Sequence, residues 1–406
     1  MAAIDASGVL PTEPEAIDLQ QLRDEMLSQA QVLETEHTKT PAAMDLVASV
    51  YYDLNYLGEA ERVWKKCIVL GSPEPDVFVH YSRFLNQQDR SEEAIQLLND
   101  AHSRRIESAG TYHQFALAHD LSGQPERACE ISEQVDQKFP EFSDSRLLTG
   151  SLQNRLGRFH EAEKNLQMAL ELGHAESEVW PILIPVLVRV GKREQASLLQ
   201  SKLRAIRKSG EVLESNKIQG SFQEKFASSL RTRAARLYRL SSTIEKRVKN
   251  FQEAKRLLAR SIQLEPNNAL SLNLLVDQLV SENQIAEAIC VCQRLANVQP
   301  ENANSFSNLA GLAYRAGDKQ LAVSSLQAGL RLHPEALGLQ IPIARLYLEL
   351  GQPIQAREMA QKILSQKQVA EAWSILAASY ESTGERDKAT QAHLEAQKIG
   401  RVPIKN

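Results

Sequence analysis

Alanine stands at Ala60, Ala94, Ala128, Ala162 and Ala196, each 34 residues after the last, and again at Ala254, Ala288, Ala322, Ala356 and, after 33 residues, Ala389. A period of this length marks stacked units that each pack on their neighbours, and it argues against a single closed globule. The 406 residues, 43% of them apolar, therefore count repeats rather than ordinary domains.

Large and small side chains alternate in fixed slots around each alanine. Twelve residues before it stands a small residue: Ala48, Ser82, Ala116, Gly150, Ser242, Ala310, Ala344 and Ala377, with Ile184 and Val276 as exceptions. Sixteen before it stands a bulky one (Phe78, Tyr112, Trp180, Tyr238, Leu272, Phe306, Trp373), and four after it another (Trp64, Leu98, Leu166, Leu258, Leu326). Glycine recurs five before it, at Gly123, Gly157, Gly191, Gly317, Gly351 and Gly384, where a helix stops and turns. Pro140, Pro266, Pro300 or Pro334 follows twelve after it and ends a second helix. Each repeat is thus a helical hairpin, its helices closest where the side chains are shortest.

These features resemble the tetratricopeptide repeat, with its W-x₂-L-G-x₂-Y…A-x₃-F…P pattern, in proteins of the multi-repeat bacterial type. Matches are best over Ala43–Pro73, Trp180–Leu203, Leu237–Pro266, Phe306–Pro334 and Trp373–Ala396, and the resemblance covers Pro41 to Lys398. It departs from the pattern where the terminal proline is missing and where Pro185 lies inside a first helix. The RNA-reading pentatricopeptide repeat usually keeps a period of 35, and the alanine, glycine and proline slots favour the tetratricopeptide reading. The resemblance implies an all-α, right-handed superhelical solenoid of about ten hairpins.

The register breaks once. Ala196 and Ala254 are 58 residues apart, 24 more than one period and too few for another hairpin. The second helix of repeat five is expected to end near Ser209-Gly210, with Glu211–Ser221 as a loop. The stripe Phe222, Phe226, Leu230, Leu237 and Ile244 predicts one long helix from Phe222 to about Val248. The expected layout is a disordered 1–17, a capping helix within 18–37 (Leu19–Glu36, Met26 in the alanine slot), and a first block over 41–210. A connector and long-helix extension follow over 211–234, a second block over 235–398 and a tail over 399–406. The last helix, Glu385–Lys398, is largely polar, as a solvent-facing end must be.

Net charge is −4, which demands neither nucleic acid nor an anionic membrane as partner. Residues 202–260, however, hold sixteen lysines and arginines against five acids. Arg231, Arg233, Arg236, Arg239, Lys246, Arg247, Lys249, Lys255, Arg256 and Arg260 surround the long helix. They form either a surface for an acidic protein segment or nucleic-acid backbone, or a balance against the acidic repeats within the molecule. Nucleic acid ranks below an acidic protein, because base-stacking aromatics are sparse there. Met1–Asp18 lacks the pattern of a secretory signal, and the longest apolar run, Val179–Val190, contains Pro181, Pro185 and Arg189. A soluble, cytoplasmic protein with no membrane segment is expected, and four scattered cysteines agree with a reducing compartment.

In the tetratricopeptide family the first helices line a concave groove that holds extended peptides or partner helices. Transferred to this chain, that geometry presents Asp45, Tyr52, Asp53, Arg83, Asn86, Gln87, His113, Asp120, Asn154, Arg155 and Arg189 in the first block. In the second it presents Arg236, Arg239, Lys246, Arg247, Asn273, Asp277, Tyr314, Arg315 and Arg345. Arginine and tyrosine are common interface anchors. The family's asparagine-ladder slot holds a single asparagine, Asn308, and no Lys/Asn carboxylate clamp is seen, which disfavours a chaperone-tail receptor.

Catalytic chemistry has little to stand on. Cys290 and Cys292 form C-x-C, but residues two apart on a helix point apart and cannot share a metal. Cys292 also occupies the bulky apolar slot. His113 and His119 are six apart, outside the spacing that puts two residues on one face. No P-loop, G-x-G-x-x-G, H-E-x-x-H or G-x-S-x-G motif is present. The expectation is a non-catalytic interaction scaffold without metal or cofactor, binding a protein or peptide in its groove. The alternatives are a regulatory or targeting module of an enzyme complex, or anion or nucleic-acid binding through the basic central segment. The sequence does not give the oligomeric state.

Overall fold

The computed structural model describes residues 11–215 and 220–400. Among these residues all regular structure is helical, in 21 helices without a strand. The chain divides into two compact units, residues 17–244, and residues 245–406 with 1–16.

The first unit opens with α1 (Leu19–Glu36). Five hairpins follow: α2 (Pro41–Asp53) with α3 (Leu57–Val69), α4 (Pro75–Gln87) with α5 (Ser91–Ser103), α6 (Ala109–Leu121) with α7 (Pro125–Lys138), α8 (Ser143–Arg155) with α9 (Phe159–Glu171), and α10 (Glu176–Arg189) with α11 (Arg193–Ser215). The long helix α12 (Gly220–Arg247) then begins. The second unit holds α13 (Phe251–Leu264) and four hairpins: α14 (Ala269–Ser281) with α15 (Ile285–Val298), α16 (Ala303–Arg315) with α17 (Lys319–Leu332), α18 (Leu337–Glu349) with α19 (Pro353–Gln366), and α20 (Ala370–Ser382) with α21 (Arg386–Gly400). First helices also pack on first helices, α2 on α4 on α6, α8 on α10, and α16 on α18 on α20.

The alanine register is the core. All ten alanines are at most 4% exposed, and Met26 on α1 is fully buried in the equivalent slot. Partner helices touch at the small slot. An added Cβ on Gly150 would lie 2.7 Å from Leu166 Cγ and 3.3 Å from the Ala162 carbonyl oxygen, so α8 and α9 approach too closely there for any side chain. Bulky neighbours such as Trp64, Phe78 and Leu166 fill the flanking space at 2% exposure or less.

The turn inside the hairpin is more uniform than its sequence. The residue five before every alanine has positive φ: Asn55, Asp89, Gly123, Gly157, Gly191, Lys249, Asn283, Gly317, Gly351 and Gly384. Six are glycine, and asparagine and aspartate tolerate this conformation. Lys249, at φ 67°, is the one long side chain forced into it.

Several expectations need correction. α11 does not stop at Ser209-Gly210 but runs to Ser215, so Glu211–Ser215 is helix rather than loop. One internal glycine costs only about 1 kcal/mol, and Glu211, Leu213 and Glu214 are good helix formers. α12 starts at Gly220 and is 28 residues long, about twice a repeat helix. Of its stripe, Leu230, Leu237 and Ile244 are buried, while the side chains of Phe222 and Phe226 lie outside the described residues. The expectation of disorder over 1–17 falls outside the described residues for 1–10. Residues 11–17 form no helix, but Glu15 N–H donates to the Gln263 carbonyl at 3.1 Å and its carboxylate pairs with Arg260. Of the expected tail, 401–406 lie outside the described residues, and α21 runs to Gly400.

Pro181 and Pro185 sit within α10 and Pro342 within α18 without ending either helix. The Gly338 carbonyl, which Pro342 cannot serve, accepts instead from Ser307 Oγ at 3.2 Å.

Candidate functional site

Three first helices of the first unit line an open cavity of about 530 Å³, its wall more apolar than polar. α4 contributes Val79, Arg83, Asn86 and Gln87, and α6 contributes Gly110, His113, Gln114, Leu117, Asp120 and Leu121. Both sets recur at three- and four-residue steps, so each is one face of its helix. Phe142 and Asp144, at the start of α8, complete the lining. Gly110 sets the α4–α6 approach, since a Cβ there would lie 2.9 Å from Val79 Cγ2.

The lining carries buried polar atoms without partners. Asn86, 8% exposed, donates from Nδ2 to Gln114 Oε1 at 3.4 Å and leaves Oδ1 unbonded. Asp120 accepts from Arg155 through Oδ2 at 2.7 Å, while its buried Oδ1 has no partner. His113 Nδ1 is also unbonded, with its ring edge-on to Phe142 at 5.6 Å. Burial pushes His113 down to about 4, helped by Arg83 and His174 and opposed by Asp144, so the imidazole is neutral near pH 7. A buried acceptor without a donor costs about 1–3 kcal/mol, so a group that supplied one would gain that stabilisation.

No protein-family model matches the chain. It is 28% identical over 130 residues to a cellulose synthase operon protein C of Pseudomonas fluorescens (strain SBW25), a match covering 32% of this chain and 10% of that protein. Among solved structures it is similar to MamA of Desulfovibrio magneticus RS-1, at 18% identity and TM-score 0.36, over 42% of this chain and 97% of that one. It is also similar to YrrB, a TPR protein with an unusual peptide-binding site, at 15% identity and TM-score 0.22, over 60% and 95%. A thermophilic TPR protein of Thermus thermophilus matches at 19% identity and TM-score 0.29, over 42% and 93%. Ten buried alanines and ten left-handed turns follow the 34-residue register in which the sequence resembles the tetratricopeptide repeat. The fold is a succession of tetratricopeptide-like helical hairpins.

The tetratricopeptide positions expected to face the groove fare unequally. Arg83, Asn86, His113 and Asp120 come together in the cavity with Gln87, and Arg155 joins them through Asp120. Tyr52 reaches the same rim by donating its hydroxyl to Gln87 Oε1. Asp53 pairs with Arg233 of α12 at 3.0 Å, and burial pushes its carboxyl up against the pull of Arg233 and Arg236. Asn154 and Arg189 do not line the cavity, and Arg189 lies over the Phe159 ring. Asp45 is a correction: it is buried, accepts from Trp64 Nε1 at 2.8 Å and contacts His80 Nδ1 at 2.8 Å, which leaves it to the core.

In the second tetratricopeptide block Lys246, Arg247, Asn273, Asp277, Tyr314 and Arg315 are exposed, and Arg239 is partly buried. Tyr314 donates to Glu349 at 3.1 Å, and Lys319 lies over its ring. Of the basic segment, Lys255 pairs with Glu282, Arg256 with Glu253 and Arg260 with Glu15.

Val79, Phe142 and Asp144 were not among the expected positions. Phe142 and Asp144 lie where one tetratricopeptide unit enters the next, outside a face counted along first helices. The available signal was an aromatic residue just after Pro140, in a stretch without a core slot. Burial pushes the thiols of Cys67 and Cys129 up to about 12 and that of Cys292 to about 11, as structural thiols require. No helix among the described residues is long and apolar enough to cross a membrane.

Proposed function

We propose that this protein is a non-catalytic interaction scaffold that holds a segment of a partner protein in the cavity between α4, α6 and α8. The observation carrying the proposal is the set of unpartnered buried atoms there, Asn86 Oδ1, His113 Nδ1 and Asp120 Oδ1. A lining without a ligand would gain by satisfying them internally, whereas a binding surface keeps donors and acceptors for its partner. The apolar share, from Val79, Leu117, Leu121 and Phe142, suits a segment that buries hydrocarbon between its polar contacts. The pairs made by Arg233, Lys255, Arg256 and Arg260 favour charge balance over anion capture for the basic segment.

A photo-crosslinking residue placed at Gln87, on the cavity rim, tests the proposal in cells against the same residue at Val69, which is 86% exposed on α3. Adducts specific to position 87 that vanish on His113→Ala support the reading. Equal adducts at both positions, or adducts indifferent to His113, overturn it.

A further inference from the structure

At three places adjacent first helices are joined by the same rung. Tyr52 bonds Gln87, Asp120 bonds Arg155 and Tyr314 bonds Glu349, each pair 35 residues apart, one period plus one. In this series the residue eight before the key alanine meets the residue seven before the next. Asn86 occupies the first position, and its counterpart 35 residues on is Leu121, which has no hydrogen-bonding group. This open rung lies in the cavity, whereas Asn154 and Arg189, whose rung also lacks a hydrogen bond, lie outside it.

We infer that the open rung is a specificity subsite for a neutral hydrogen-bond donor, the primary carboxamide of a glutamine or asparagine on the partner segment. The inference rests on the reading of the cavity as a segment-binding site. With Asn86 Nδ2 bonded to Gln114, Oδ1 is the unbonded atom, and an oxygen there accepts only. A carboxylate would set acceptor against acceptor, beside the Asp120 Oδ1 that is also unpartnered. A lysine or arginine would bring a positive charge beside Arg83 into a site that already keeps His113 neutral down to about 4. An aliphatic side chain leaves the oxygens as they are. A carboxamide supplies two N–H donors without charge, and its carbonyl can accept from Arg83. His113 and Asp120 are seven residues apart on α6, about 10 Å along the axis, close to the reach of three residues of extended chain.

The test uses the full chain and the pentapeptides acetyl-Ala-Ala-Xaa-Ala-Ala-methylamide with Xaa as Gln, Glu, Lys, Leu or Ser. The shift of the His113 imidazole carbon–proton signal, assigned with His113→Asn, is followed to saturation. Support is a dissociation constant for the Gln peptide at least tenfold below each of the others. A lower constant for the Glu, Lys, Leu or Ser peptide overturns the carboxamide assignment and leaves the segment-binding reading standing. No saturable shift with any peptide overturns both. Leu121→Gln, at a residue 58% exposed, supplies the missing donor from within and should remove the Gln preference without lowering the melting temperature. If that variant still prefers the Gln peptide tenfold, the open rung is not the subsite.

Discussion

The two units share one register and use it differently. The slot eight before the alanine reads Tyr52, Asn86, Asp120, Asn154 and Val188 in successive repeats of the first unit. In the second unit it reads Lys246, Val280, Tyr314, Leu348 and Glu381. The alanines are buried alike in both, so packing does not distinguish them. What differs is whether polar atoms at this slot are buried and whether the next helix answers them. Tyr314 is 45% exposed and answered by Glu349, whereas Asn86 is 8% exposed and faces an apolar counterpart. A repeat architecture thus separates the residues that build it from those that set the polarity of one stretch of its surface.

The largest expected effect that would break this contrast is on acid stability. His113 has an ordinary value of 6.5 and a folded value of about 4, so the unfolded chain takes up its proton first as the pH falls. Above about pH 6.5 both states are neutral and nothing is lost. Between 6.5 and 4 the folded state loses stability, approaching about 3 kcal/mol below pH 4. Hydrogen exchange at pH 7 and 4.5 should show α6 loosening more than α16, and His113→Gln should remove the excess. Equal loosening in the variant would mean that other groups control the acid response.

Next in size is overpacking, which should treat the units alike. Ala162→Leu and Ala322→Leu each force a helix pair apart, at a cost of about 2 kcal/mol. Denaturant titration of both variants checks this, and a loss in only one unit would show that the register is not equivalent.

The sequence makes these core slots legible because each depends on local size alone: Gly150, Ala162 and Leu166 meet whatever the rest of the chain does. The Leu19–Glu36 helix is legible for the same reason, through Met26. The candidate site is less so. Counting positions along first helices finds Arg83, Asn86, His113 and Asp120, but it also returns Asp45, which Trp64 and His80 take into the core. In the proposed reading the subsite lies where a buried face residue is left unbonded by its counterpart one period and one residue away, as Leu121 leaves Asn86. Phe142 and Asp144 enter from the connection between repeats, where the period carries no instruction. Ser209-Gly210 misleads because a glycine stops a helix only where the next turn can leave it.

The left-handed turns compare the repeats at about 1 kcal/mol. Gly123, at φ 80° with open space where a Cβ would go, and Lys249, at φ 67°, hold equivalent positions. Gly123→Ala should cost about 1 kcal/mol through the backbone alone, and Lys249→Gly should gain somewhat less, since glycine also loosens the unfolded chain. Melting curves of the two variants should therefore move in opposite directions. A fall for Lys249→Gly would mean that its side chain contributes more than its backbone strain costs.

The smallest effect is the most direct test of what makes a rung a site. Tyr314→Phe opens the Tyr314–Glu349 rung on an exposed surface, where water replaces the lost bond and the Lys319–Glu349 pair at 2.8 Å remains. The cost should be about 0.5 kcal/mol or less, near the limit of denaturant titration. The variant should bind the glutamine pentapeptide no better than before, because Glu349 stays solvated and gains nothing from a new donor. If opening this exposed rung created a carboxamide preference, rung geometry alone would suffice, and the burial that distinguishes Asn86 would be irrelevant to recognition.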